Sequence, residues 1–120
     1  MVSGSHCDIG ARQIDAVTVV AVVGTLDSVT APQLESAIAD AVTAAAGAIV
    51  VDLGGVDFLS SAGMGVLMGA HADLTPARRF AVVADGPATS RPLRLVGIAD
   101  VVGLFATLDE ALDAVTGGDV

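Results

Sequence analysis

A chain of 120 residues is long enough for one packed domain and too short for two, and 53% hydrophobic against 16% charged residues suits a buried core, not disorder. Fourteen acidic residues against five arginines and no lysine leave a net charge of −9, which repels phosphate backbones and anionic lipid; with no Trp or Tyr, the platforms on which bases stack are missing too. These features exclude nucleic acid and membrane as partners, no apolar run reaches the roughly 18 residues of a membrane span, and a protein partner is what remains.

Residues 1–6 lack the charged start and apolar stretch of a signal peptide and read as a disordered tail or an expression scar, with the domain expected over 7–117. The single cysteine, Cys7, permits no internal disulfide, falls near that mobile end and implies a reducing, cytoplasmic setting. Residues 7–13 pair as an edge strand, and the β-branched run over 16–23, closed by Gly24, is a strand buried on at least one face. Residues 25–29 form a loop. Thr30-Ala31-Pro32-Gln33 then has capping-box spacing before a helix with Leu34, Ile38, Ala41, Val42 and Ala45 on its apolar side and Gly47 as its stop. The continuous apolar run over 48–53 suits a central strand covered on both faces, after which Gly54-Gly55 turns the chain.

A second long helix is predicted from Ser61 to Leu74, ended by Pro76. Gly63, Val66, Leu67, Ala70 and Leu74 fall on its core face, while Met64, Met68 and His71 fall on another, as partner-facing side chains or as the core margin. A strand over 79–84, a short helix capped by Ser90, a last strand over 101–105 and a final helix opened by the Thr107–Glu110 capping box and stopped at Gly117-Gly118 complete the chain. The order β-β-α-β-α-β-α-β-α predicts a single α/β domain. Its central sheet is mixed but mostly parallel, flanked by about four helices, with the N-terminal strands as the antiparallel exception.

Enzyme chemistry finds few parts. A nucleophilic serine needs a base within hydrogen-bond reach, but Ser61 and His71 on one helix stand about 15 Å apart, and the Gly-x-Ser-x-Gly elbow is absent. No phosphate-binding loop has its glycine spacing or lysine, and His6, Cys7 and Asp8 are contiguous and terminal, so neither nucleotide, metal nor other cofactor is expected. Asp27, at a strand end, and the loop before Ser61 are neighbours in an open α/β sheet, where functional groups collect beyond the carboxyl ends of the strands.

The segments Gly24-Thr25-Leu26-Asp27, Thr30-Ala31-Pro32-Gln33-Leu34, Ile49-Val50-Val51-Asp52-Leu53 and Val56-Asp57-Phe58-Leu59-Ser60-Ser61-Ala62-Gly63-Met64-Gly65 resemble the STAS domain of stand-alone bacterial anti-sigma factor antagonists. The resemblance runs from about residue 8 to 116 and implies a non-enzymatic, cytoplasmic switch protein. Such a protein binds an anti-sigma factor that is also a serine kinase, loses that binding when phosphorylated, and is restored by a phosphatase. It implies Ser61 as the phosphoacceptor and Asp27, Ser60, Ser61, Ala62, Met64, Gly65 and Met68 as the partner-binding residues. Ser60 stands where the family carries an aspartate. This removes a carboxylate, leaves Ser60 open as the acceptor, and leaves open an unphosphorylated STAS scaffold in a larger signalling complex.

Overall fold

The computed structural model describes residues 6–44, 47–75 and 77–116; Ala45, Pro76, Gly117 and Gly118 and most of the expected tail lie outside them. Strand β1 (Cys7–Ile14) pairs antiparallel with β2 (Val17–Leu26), and β3 (Ala48–Leu59), β4 (Arg79–Val83) and β5 (Gly103–Phe105) follow in parallel. The five strands lie in the sheet in their chain order. Four helices, α1 (Ala31–Thr43), α2 (Ser61–Leu74), α3 (Ser90–Leu95) and α4 (Leu108–Val115), accompany them, so the predicted element order and the antiparallel exception both stand. The β1–β2 connection is the two-residue turn Asp15-Ala16, with Asp15 at φ 56°, a region that short polar side chains tolerate.

Strand alternation divides the interior in two. Val20, Val22, Ile49, Val51, Phe80 and Val82 face α1 and α2 in the larger core, which also holds Leu34, Leu67 and Leu93. Val17, Val19, Ala48, Val50, Ala81 and Val83 face α4 through Ala111 and Val115. The run over 48–53 is continuous in the sequence because β3 is central and buried on both sides.

Several boundaries differ from the sequence reading. The strand expected to stop at residue 23 continues through Gly24 to Leu26, and the Gly54-Gly55 pair expected to turn the chain lies inside β3. The two strands stay paired by slipping register between Ala21 and Val23 and again between Gly24 and Thr25. Gly24 makes the second slip possible: its φ is 109°, and a Cβ there would stand 2.7 Å from the His6 carbonyl oxygen. The last strand shortens to three residues because a 3-10 turn (Ile98–Asp100) takes up the chain before it. Helix α3 begins one residue after Thr89, which makes no side-chain cap, so Ser90 is its first residue instead of its cap. At α4 the serine/threonine half of the capping box forms: Thr107 Oγ1 accepts from the Glu110 N–H at 3.2 Å, while Glu110 Oε1 reaches one residue past the cap and accepts from the Ala106 N–H at 3.2 Å.

Cys7 is not at a mobile end: it opens β1, buried against α1, with its Sγ 3.6 Å from Gln33 Oε1. Burial pushes its thiol up, the nearby Thr30 side chain works in the opposite direction, and the Asp8 and Asp27 carboxylates add to the rise. The thiol is therefore protonated at neutral pH, and in the folded protein it is expected to react with a thiol-specific disulfide reagent far more slowly than a free cysteine. Comparing the rate in native and denaturing buffer checks this.

Candidate regulatory site at the strand ends

The β2 and β3 ends lie side by side, Leu26 opposite Leu59, and the Ser60 N–H donates to the Leu26 carbonyl at 2.9 Å. Asp27 and the Ser60-Ser61 pair therefore leave the same edge of the sheet, as the sequence anticipates. Ser60 is extended (φ −92°, ψ 173°), and its Oγ accepts from the Gly63 N–H at 3.4 Å, while its carbonyl accepts from the Met64 N–H at 3.0 Å. It is the N-cap of α2 and is half-buried. Ser61 is the first residue of the helix and is exposed. The two adjacent hydroxyls thus have different circumstances: one is occupied by the helix, the other faces solvent where the helix dipole favours negative charge.

Gly63 sets how deeply this helix end sits. A Cβ there would stand 2.9 Å from Leu26 Cγ and 2.9 Å from Leu59 Cδ1, so the backbone of α2 rests directly on the last side chains of both strands. Gly65 and Gly69 are different, since a Cβ at either meets nothing within 4 Å. They line the open α1–α2 groove, about 490 Å³ in volume, with Ile38, Val42, Val66 and Ala70. The core face of α2 is Gly63, Leu67 and Leu74; Val66 and Ala70 are its half-buried margin on the groove side, and Met64, Met68 and His71 are half-buried, the two methionines packed against the main core.

Asp27 serves its own loop. Its Oδ1 accepts from the Val29 N–H at 2.9 Å and the Thr30 N–H at 3.2 Å, which closes a turn before α1. The Thr30 to Gln33 capping box does not form: Thr30 is already helical in φ and ψ and makes no side-chain cap. Instead the buried Thr30 Oγ1 donates to the Thr25 carbonyl at 2.7 Å and accepts from the Asp27 N–H at 2.9 Å. Thr30→Val strands both backbone groups and is expected to cost about 1–3 kcal/mol, measured by urea unfolding.

The structure brings together Asp27, Ser60, Ser61 and Ala62 at the sheet edge, with Met64 and Met68 receding along one flank of α2 and Gly65 on the other. Three side chains around this end carry no role in the sequence reading. Val23, Val29 and Phe58 are 54%, 66% and 53% exposed. Period-two alternation would bury Val23 in a covered strand; α4, however, packs on β3, β4 and β5. Among the described residues no three His, Cys, Asp or Glu side chains could together hold a metal ion, and no helix is long and apolar enough to cross a membrane.

The chain matches the STAS domain model over residues 8–111. It is 38% identical over 106 residues to the anti-sigma-F factor antagonist RsfB of Mycobacterium tuberculosis, spanning 88% of this chain and 87% of that protein. The crystal structure of an anti-sigma factor antagonist from Mycobacterium paratuberculosis, 40% identical, superposes with a TM-score of 0.90 over 97% of this chain and 99% of the other. The anti-sigma factor antagonist SpoIIAA in its unphosphorylated form, at 23% identity, shares the fold with a TM-score of 0.75 over 92% and 97% of the two chains. The chain belongs to the STAS domain family and groups within it with the anti-sigma factor antagonists.

Proposed function

We propose that this chain is a cytoplasmic, non-enzymatic antagonist of an anti-sigma factor of the serine-kinase type. Its release of the sigma factor is switched off by phosphorylation of Ser61 and restored by a phosphatase. The observation that carries the reading is the division of labour between the two serines: Ser60 is spent on capping α2, and Ser61 is exposed on its first turn. The antagonist role is supported by the relatives at 38% and 40% identity, whose names carry it. The partner-binding surface assigned here is Asp27, Ser60, Ser61, Ala62, Met64, Gly65 and Met68. Asp27 acts in it by shaping the loop next to Ser60, since its carboxylate holds the turn.

The chain is a substrate in this scheme: the histidine on the helix that carries the hydroxyl, His71, lies ten residues along it, about 15 Å away, and the Asp27 carboxylate is engaged in its own turn. Incubation with ATP and the cognate anti-sigma factor, followed by peptide mapping, tests the reading. One phosphate is expected on Ser61, lost in Ser61→Ala and kept in Ser60→Ala. No incorporation at either serine removes the switch and leaves the STAS scaffold role.

A further inference from the structure

We propose that the open half of the sheet, centred on Val23 and Phe58, is a second docking surface for the anti-sigma partner, receiving an apolar side chain flanked by arginine or lysine. The inference rests on the antagonist reading above and extends its contact area from the helix edge onto the sheet.

Helix α4 packs on β3, β4 and β5, and its Ala111 and Val115 close a cluster that reaches across the first half of the face through Val17, Val19, Ala48, Val50 and Val83. Beyond it β2 and β3 run on to Leu26 and Leu59, and Val23 and Phe58 stay more than half exposed. The register puts Val23 between Asp8 and Gly55, and Thr25 opposite Phe58. Gly55 supplies no side chain to this face; a Cβ there would lie 2.8 Å from Val23 Cγ2. The result is a shallow apolar floor, not a packed strand pair.

Its border is acidic. Asp8 is 79% exposed, with His6 Nε2 at 3.5 Å from its Oδ1. Exposed Asp57 accepts from Thr25 Oγ1 at 3.4 Å, and Asp52, opposite Ala21, accepts from the Gly54 N–H at 2.8 Å. The arginines on this face stand at the α4 end: Arg12 pairs with Val19, four residues or about 13 Å from Asp8, and Arg79, paired with Ala48, donates to the Ala114 carbonyl of α4 at 3.2 Å. An isologous contact with a second copy would set these carboxylates against their own equivalents, whereas a basic segment is attracted by them. The floor lies on the sheet face opposite α2 and meets the proposed switch at the strand ends, where Phe58 precedes Ser60 by two residues.

Titration of the anti-sigma factor against the wild-type chain, Val23→Ser/Phe58→Ser and Asp8→Asn/Asp57→Asn, with circular dichroism as the folding control, tests this. The apolar double variant is expected to bind about tenfold or more weakly while folded. The Asp8/Asp57 variant is expected to associate more slowly and with less salt dependence. Binding of the apolar variant within twofold of wild type overturns the sheet surface and leaves the antagonist reading intact. A wild-type chain that binds no anti-sigma factor overturns the antagonist reading and this inference with it. A dimer of the chain alone, abolished by the apolar variant, overturns the proposal by giving the face to a second copy.

Discussion

Phosphorylated on Ser61, the chain is expected to bind its anti-sigma factor about 30-fold to a few thousand-fold more weakly than the unmodified form, with its thermal midpoint unchanged or slightly raised. The phosphate adds about −1.5 to −2 charges at the start of a 14-residue helix whose first turn holds no acidic residue, so the helix dipole accommodates it within the fold. In the complex the same charge is desolvated, and an uncompensated charge in an interface costs about 2–5 kcal/mol. Titration calorimetry on the two forms, with a thermal melt of each, separates these effects. A fall in midpoint together with affinity would place the effect on folding instead of on the interface. Ser61→Asp, with one charge, should show a smaller loss in the same direction.

Gly63→Val is expected to destabilise the domain by about 3 kcal/mol, whereas Gly65→Ala and Gly69→Ala on the same helix should each stabilise it by about 1 kcal/mol. At Gly63 any Cβ already meets Leu26 and Leu59 at 2.9 Å, and the two further methyls of valine force α2 away from both strand ends. At Gly65 and Gly69 there is open space, so alanine changes only the helix propensity and the entropy of the unfolded chain. Urea midpoints at unchanged slope measure the three variants, and Gly63→Val should melt roughly 10 °C lower. Because lifting α2 also displaces Ser60 from the Leu26 carbonyl, that variant should be a poorer kinase substrate even where it remains folded.

Much of this architecture was legible in the residues. The apolar run over 48–53 announced a strand buried on both faces, and α2 runs from Ser61 to Leu74 as its pattern predicts. What misled was glycine as punctuation. Gly24, Gly54 and Gly55 read as breaks, yet all three lie inside strands, because a slip of register between two long parallel strands needs residues without side chains. Capping was half legible for a related reason. Thr107 has the spacing and caps its helix, whereas Thr30 has the same spacing but is drawn to the Thr25 carbonyl by a turn that Asp27 closes. Such a competition between two local hydrogen-bond patterns is decided by the strand that precedes them. The adjacency of Asp27 to Ser60 followed from the rule that functional groups collect beyond parallel strand ends. Exposure of Val23 and Phe58 did not, since it depends on where α4 stops.

The strands of this sheet lie in the order in which they are made, so each new strand finds its neighbour already at the growing edge. The β1–β2 hairpin, closed by two residues, can form first, and each later strand adds with its own crossover helix. The covering of the second face does not follow that gradual course. Val17 and Val19 belong to a cluster that is completed only when Ala111 and Val115 arrive. For most of its synthesis the chain therefore carries an apolar sheet face open to water, and it is the emergence of α4 that ends its exposure to aggregation and to chaperones.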